Sequence, residues 1–138
     1  MSLLVPYQDS QYPMYSSGLF LIPAMYSFQK KQYFHGVLLL TSAGISINYW
    51  RCATYGWRRN LDLLFSKLSF AIFVLTKYRQ INYTKDEIIN LHIKLSNVIT
   101  YFFLSKILFE NRHPYWKYAH IMFHGFMVLE QWDIINSL

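Results

Sequence analysis

The sequence predicts an all-α protein, a multi-pass transmembrane bundle of about four to five helices. Three observations point there. Hydrophobic residues make up 54% of the 138 residues and charged residues only 14%, against about 25% charged in an average soluble domain. The apolar residues gather into five segments, and two of these sit in charge-free stretches of 20 residues (between Asp9 and Lys30) and 19 residues (between Lys31 and Arg51), about the length of a spanning helix. Aromatic residues reach 20%, with 12 Tyr and 4 Trp, types favoured at the headgroup level of a bilayer. The mean hydropathy of +0.14 is low for a multispan protein, so the expectation rests on pattern rather than on the average. Strand alternation, internal repeats and low-complexity tracts are lacking, and the length fits one domain over residues 1–138.

The first segment, Ser16 to Phe28, is interrupted by Pro23 and follows an uncharged Tyr/Ser/Gln/Pro lead that reads as interface or loop. The second, Phe34 to Trp50, carries no charge, and Tyr33 at one end and Tyr49-Trp50 at the other resemble interface anchors. A loop with Gly56 as its turn residue follows. The third, Arg58 to Tyr78, is interrupted only by Asp62 and Lys67. The fourth, Lys85 to Phe109, opens on "TKDE", in which Thr84 caps backbone donors and Glu87 reaches back. The fifth runs from Pro114, suited to a first helical position, to about Ile135. Lys67, Lys94 and Lys106 inside these segments are the best support for a soluble helical alternative.

The net charge is +6 and the pI about 9.4. The Lys and Arg residues are scattered between the apolar segments and form no dense stripe. They read as headgroup-facing flanks, and nucleic acid is not an expected partner. Alternate loops carry equal numbers of them, so the positive-inside rule assigns no orientation. A single cysteine, Cys52, excludes an internal disulfide and a cysteine-based zinc cluster. The N-terminal stretch lacks a basic region followed by a compact apolar run and is not read as a secretory signal.

Ionisable residues inside apolar segments are functional candidates. On the last helix His120, His124 and Gln131 share one face, with Met127 between them. Imidazoles at i and i+4 sit about 6 Å apart and can ligate one metal. Equally, they can be core histidines bonded to backbone or serine hydroxyls. On the third helix Asp62, Ser66 and Ser69 align. Asp62 can accept a proton or orient a water, or it can favour the helix N-terminus and pair with Arg58. On the second helix His35, Ser42 and Ser46 share a face, but His35 lies about 16 Å along the axis from Ser46 and reads as a headgroup-level residue. On the fourth, Asn90, Lys94, Asn97 and Tyr101 form a stripe that either faces the bundle or lets Lys94 snorkel, and His92 points largely away from it. His113 reads as a cap or loop residue.

A serine on an early helix, an aspartate near the start of the next and HxxxH on the last resembles the CREST superfamily, which includes alkaline ceramidases, progestin and adipoQ receptors and GPI-anchor remodelling hydrolases. The matching stretches are Phe34 to Asp62, containing "SINYWRCATYGWRRNLD", and Tyr115 to Gln131, containing "HIMFH". The resemblance implies a seven-helix membrane bundle holding zinc on three histidines, and hydrolysis of lipid amides or esters. Carried over, Ser46 and Asp62 are the catalytic residues and His120 and His124 the metal ligands. The family's third histidine, four residues after the serine, is replaced here by Trp50, which leaves His92 as the substitute zinc ligand. The chain has room for about five helices rather than seven.

Two functions follow as expectations. One is an integral membrane, zinc-dependent lipid hydrolase: zinc activates water, Asp62 serves as base or orienter, Ser46 helps hold the oxyanion, and membrane lipids reach the site laterally. The other is a non-catalytic membrane subunit of a larger organellar or viral assembly, in which the same polar residues join helices.

Overall fold

The computed structural model describes residues 3–138, and among these the chain is all-α. The helices are α1 (Tyr7–Ser17), α2 (Leu21–Gln29), α3 (Tyr33–Trp50), α4 (Trp57–Gln80), α5 (Lys85–Glu110) and α6 (Trp116–Asn136). A 3₁₀ turn over Gly18–Phe20 joins α1 to α2 end to end, so the six helices form five rods. Among the described residues the only extended pairing is an isolated bridge between Leu3 and Thr54, beside a 2.7 Å bond from the Leu4 amide to the Ala53 carbonyl.

The tight turn has a cause in Pro23. A proline ring lacks an N–H and crowds the carbonyl four residues earlier. Here that residue is Leu19, which lies in the 3₁₀ turn, where the helix is wound more tightly. The polar lead before this segment differs from expectation. Residues 7–17 are helical rather than loop, and they bury Ser10, Pro13, Ser16 and Ser17. Small residues at this spacing let one helix lie close on another.

The other boundaries follow local chemistry. Gly56 enters α4 with φ 145°, a conformation that side-chain-bearing residues rarely adopt. Thr84 caps α5 by accepting from the Glu87 amide at 3.3 Å, while the Glu87 carboxylate accepts from the Asn82 amide at 2.7 Å. The capping pair therefore forms, but Glu87 reaches two residues past the cap. Helix α6 starts at Trp116, two residues after Pro114, because Pro114 and Tyr115 form a turn closed by the Tyr115 amide donating to His113 Nδ1 at 3.2 Å.

The α1–α2 rod lies against both α3 and α6. Helix α4 extends the layer beyond α3, and α5 packs along α6. Helices α4 and α5 do not pack on each other along their length. They are tied at one end, where Asp133 of α6 accepts from Lys77 of α4 at 3.1 Å and from Lys94 of α5 at 2.8 Å. Of the stripe, Lys94 and Tyr101 face the bundle, Tyr101 stacking on Phe126 with ring centres 5.2 Å apart, while Asn90 and Asn97 are exposed.

One core cluster gathers Phe20, Ala24, Leu39, Ala43, Phe73, Val98, Met127 and Ile134 between the rods. A second joins Val5, Tyr49, Trp50, Ala53 and Trp116 at one end of the bundle. Alanines and glycines set the spacing. A Cβ on Gly36 of α3 would lie 2.9 Å from the Phe28 ring.

Polar side chains are buried beside the apolar core, and many large apolar side chains are exposed. Ser10, Ser16, Ser17, Ser27, Ser46, Asp62, Ser69, Ser105, His124, Glu130 and Gln131 are buried, whereas Leu40, Leu64, Leu75, Ile93, Phe103, Ile107 and Leu129 are exposed. No helix among the described residues is both long and apolar enough to cross a membrane. The reason is visible along each rod. Lys67 interrupts α4, Lys94 and Lys106 interrupt α5, and serine, glycine, asparagine and tyrosine lower the hydropathy of the uncharged α3.

Candidate functional site

The polar interior centres on the two serines that end α1. Ser17 Oγ lies 2.9 Å from Ser46 Oγ of α3, and Ser16 lies 2.7 Å from Nδ1 of His124 on α6. Both are placed there by local geometry, since each also bonds the Pro13 carbonyl, at 2.7 Å from Ser17 and 3.1 Å from Ser16. Adjacent residues on a helix point about 100° apart, so one serine reaches α3 and its neighbour reaches α6. Ser46 in turn lies in polar contact with the buried Asp62 carboxylate near the start of α4. Four rods thereby share one connected set of polar groups, running Asp62, Ser46, Ser17, then Ser16 and His124.

The two histidines of α6 stack edge to face, with ring centres 4.5 Å apart. Ser16 Oγ lies 3.1 Å from the Pro13 carbonyl and 2.7 Å from His124 Nδ1. Ser105 repeats the arrangement, 3.4 Å from the Trp116 carbonyl and 3.2 Å from His120 Nδ1. A serine proton given to the carbonyl makes the ring donate from Nδ1–H and leaves Nε2 free, the form that ligates metals; a proton given to the ring puts the imidazole proton on Nε2. The Nε2 of His120 is sealed from solvent and has no partner.

A third ligand is not provided. Among the described residues no group of three or more His, Cys, Asp or Glu side chains is placed to hold a metal ion. The indole of Trp50 packs edge-on to His120, ring centres 5.2 Å apart, and stacks on Trp116 at 5.9 Å. Trp50 therefore stands beside the pair where the resemblance places the third histidine, and an indole N–H is no metal ligand. His92, the expected substitute, is exposed on α5, with its Nδ1 bonded at 2.7 Å to the Ile88 carbonyl of its own helix. It lines a shallow surface groove with Ile88, Ile89, Ile93, Ser96 and Asn97, away from the pair. The residues present thus hold a metal-competent pair of imidazoles but not a zinc shell.

Ser16 and His124 have the spacing of a nucleophile and base, and the ring facing His124 is another imidazole rather than an orienting carboxylate. Asp62 meets Ser46 instead, and among the described residues it has no cationic partner. Arg58 does not pair with it.

Ser46 and His124 line one cavity of about 210 Å³, together with Phe20, Ser42, Ser69 and Gln131 on its inner side. Ser42 and Ser69 bond each other across it at 2.8 Å. Its outer side is formed by Phe70 of α4 and by Val98, Ile99, Phe102 and Phe103 of α5.

Of the residues expected from sequence, Ser46, Asp62, His120 and His124 lie in one polar interior, and His92 lies outside it. Ser16, Ser17 and Ser105 were not among the expected residues. The signal for the first two was present in Ser10, Pro13 and Ser17, small residues three and four apart in a segment with no apolar face. Ser105 had no comparable signal. His35, read as a headgroup-level residue, is half-buried against Phe73, and neither ring nitrogen has a partner.

Comparison with protein-family models, curated proteins and solved structures gives no match.

Proposed function

We propose that this chain is an integral membrane protein built on the plan of the zinc-dependent lipid hydrolases of the CREST type, with an incomplete metal site, and that it holds lipid without hydrolysing it. The observation that carries this reading is the indole of Trp50 against His120, in a polar interior that otherwise gathers Ser46, Asp62, His120 and His124. Two imidazoles leave a zinc ion short of the three protein ligands that catalytic sites use.

The membrane part of the proposal is supported by polar groups buried beside the core and by large apolar side chains left exposed. Water would not favour exposure of Leu40, Leu64, Phe103 and Leu129 over burial of Asp62, His124 and Glu130, whereas a bilayer favours polar groups paired inside and apolar groups outside. Helices α3 to α6 have 18, 24, 26 and 21 residues, or roughly 27 to 39 Å at 1.5 Å per residue, against a hydrocarbon core of about 30 Å. Of the cations inside these helices, Lys77 and Lys94 both reach Asp133, whereas Lys67 and Lys106 are exposed with no ion-pair partner among the described residues.

A second reading, a non-catalytic subunit of a larger membrane assembly, is favoured by α5, which packs chiefly on α6 and leaves Ile93, Phe103, Leu104 and Ile107 uncovered.

Metal analysis of the detergent-purified protein tests the proposal. The expected zinc content is far below one per chain. About one zinc per chain, lost in His120→Ala or His124→Ala, would overturn it in favour of a complete hydrolase centre. Co-purification with fixed partner chains would move the assignment to the subunit reading.

A further inference from the structure

One end of the bundle carries a basic groove. It lies where α3 ends and α4 begins, has a volume of about 230 Å³, and is lined by Asn48, Arg51, Thr54, Gly56, Trp57 and Arg58. No Asp or Glu occurs between Asp9 and Asp62, and the buried Asp62 meets Ser46. Among the described residues no carboxylate pairs with Arg51 or Arg58. Arg51 donates from Nε to Asn48 Oδ1 at 2.9 Å, which orients the guanidinium and leaves its two terminal NH2 groups for a ligand. Arg59 is engaged elsewhere, its guanidinium 5.3 Å from the centre of the Tyr55 ring. Two guanidinium forks on one small groove, with no carboxylate beside them, suit a phosphate, which each fork can meet with two hydrogen bonds. At the opposite end the cations are differently placed: Lys77 and Lys94 reach Asp133, and Lys30 donates to the Asn136 carbonyl. Beside the groove Trp57 and Tyr55 are 66% and 59% exposed, aromatic residues of the kind a bilayer holds at headgroup level. A phosphate ester free in water would gain nothing from that aromatic border, whereas a lipid meets both features at one depth.

We infer that this groove seats the phosphate of an anionic glycerophospholipid between Arg51 and Arg58, with Trp57 beside its glycerol. Phosphatidylcholine carries the same phosphate, but its ammonium group brings a cation to two arginines and offsets the attraction. This rests on the reading that the bundle is embedded in lipid, but not on the state of the metal site. It also distinguishes the two ends of the bundle, which equal numbers of Lys and Arg leave alike: the end bearing the groove faces the leaflet richer in anionic lipid.

The test places the full chain in phosphatidylcholine vesicles containing a trace of spin-labelled phosphatidic acid or spin-labelled phosphatidylcholine. Electron paramagnetic resonance reads the fraction of each label immobilised at the protein. The phosphatidic acid label should associate about fivefold more strongly than the phosphatidylcholine label. Arg51→Gln with Arg58→Gln should bring that preference close to parity. Arg51 is exposed and Arg58 half-buried, and an unchanged immobilised fraction of the phosphatidylcholine label shows that the double variant keeps its fold. Arg79→Gln, at an exposed arginine of the opposite end, should leave the preference as it is. Equal association of the two labels in the wild type, a preference retained in the double variant, or the same loss in Arg79→Gln would each overturn the inference. So would loss of the preference in excess glycerol phosphate, which would make a water-soluble phosphate ester the ligand. Absence of an immobilised fraction for either label would instead overturn the membrane reading, so the two failures are separable.

Discussion

On the proposed correspondence with the zinc hydrolases, replacing Trp50 by histidine should add a third imidazole beside His120 and His124, at a cost that can be worked from the packing. Trp50 is buried, stacks on Trp116 with ring centres 5.9 Å apart, and meets His120 at 5.2 Å and Tyr49 at 4.8 Å. Truncating a buried tryptophan to alanine costs about 3–5 kcal/mol, and an imidazole refills part of the void, so Trp50→His should lose about 2 kcal/mol of stability without metal. His120 and His124 have Nδ1 beside serines; with Nδ1–H donating to them both Nε2 lone pairs are left for a metal, and the new imidazole would supply the third ligand. Zinc at one hundred times its dissociation constant stabilises the folded state by about 2.7 kcal/mol, enough to offset the packing loss. The assay is a thermal melt in detergent with and without zinc, alongside metal analysis. Trp50→His should melt below wild type in chelator and recover with zinc. Trp50→Phe should not recover, and Trp50→His combined with His124→Ala should lose the response. If Trp50→His took up no more zinc than Trp50→Phe, position 50 would not be the third-ligand position, and the correspondence with the hydrolase plan would fail.

Two further outcomes follow from the polar interior. Ser46→Ala leaves the Asp62 carboxylate, 8% exposed, without its hydroxyl partner, and should destabilise by about 1–3 kcal/mol. Adding Asp62→Leu should restore most of the loss, read by the same melts, because removing both members of a buried pair costs less than removing one. Asp133→Ala removes the partner of Lys77 and the nearer of two carboxylates beside Lys94, the other being Glu130 at 3.9 Å. With Asp133 41% exposed, water screens the pairs and the loss should be about 1 kcal/mol. The greater effect should be faster hydrogen exchange at the ends of α4 and α5 that meet α6.

The helices differ in how plainly the sequence announces them. Helix α3 is read from an uncharged run closed by aromatic residues, and α5 from Thr84 and Glu87 at its start. Helix α1 escapes because Tyr7–Ser17 has no apolar stripe and contains Pro13. It is stabilised by packing small polar residues against α3 and α6, a contact that no local pattern encodes. Ser46, Asp62, His120 and His124 are legible because isolated polar groups in apolar segments demand partners, whereas their partners Ser16 and Ser105 are ordinary serines until the fold brings them beside a histidine. His92 illustrates the converse. Spacing along one chain cannot show that an exposed imidazole satisfies itself on the carbonyl one turn earlier. The indole at position 50 is the most informative departure, because the fold places it beside the histidine pair and thereby turns a sequence mismatch into a statement about ligand count.

The account depends most on which solvent surrounds the rods. Nitroxide probes at Leu40, Leu64, Phe103 and Leu129, each an exposed apolar position, placed one at a time through introduced cysteines with Cys52 replaced by serine, report that solvent in lipid vesicles. The account predicts frequent collision with oxygen and little with a water-soluble nickel chelate at all four positions. Strong nickel collision at these positions would place them in water and contradict it.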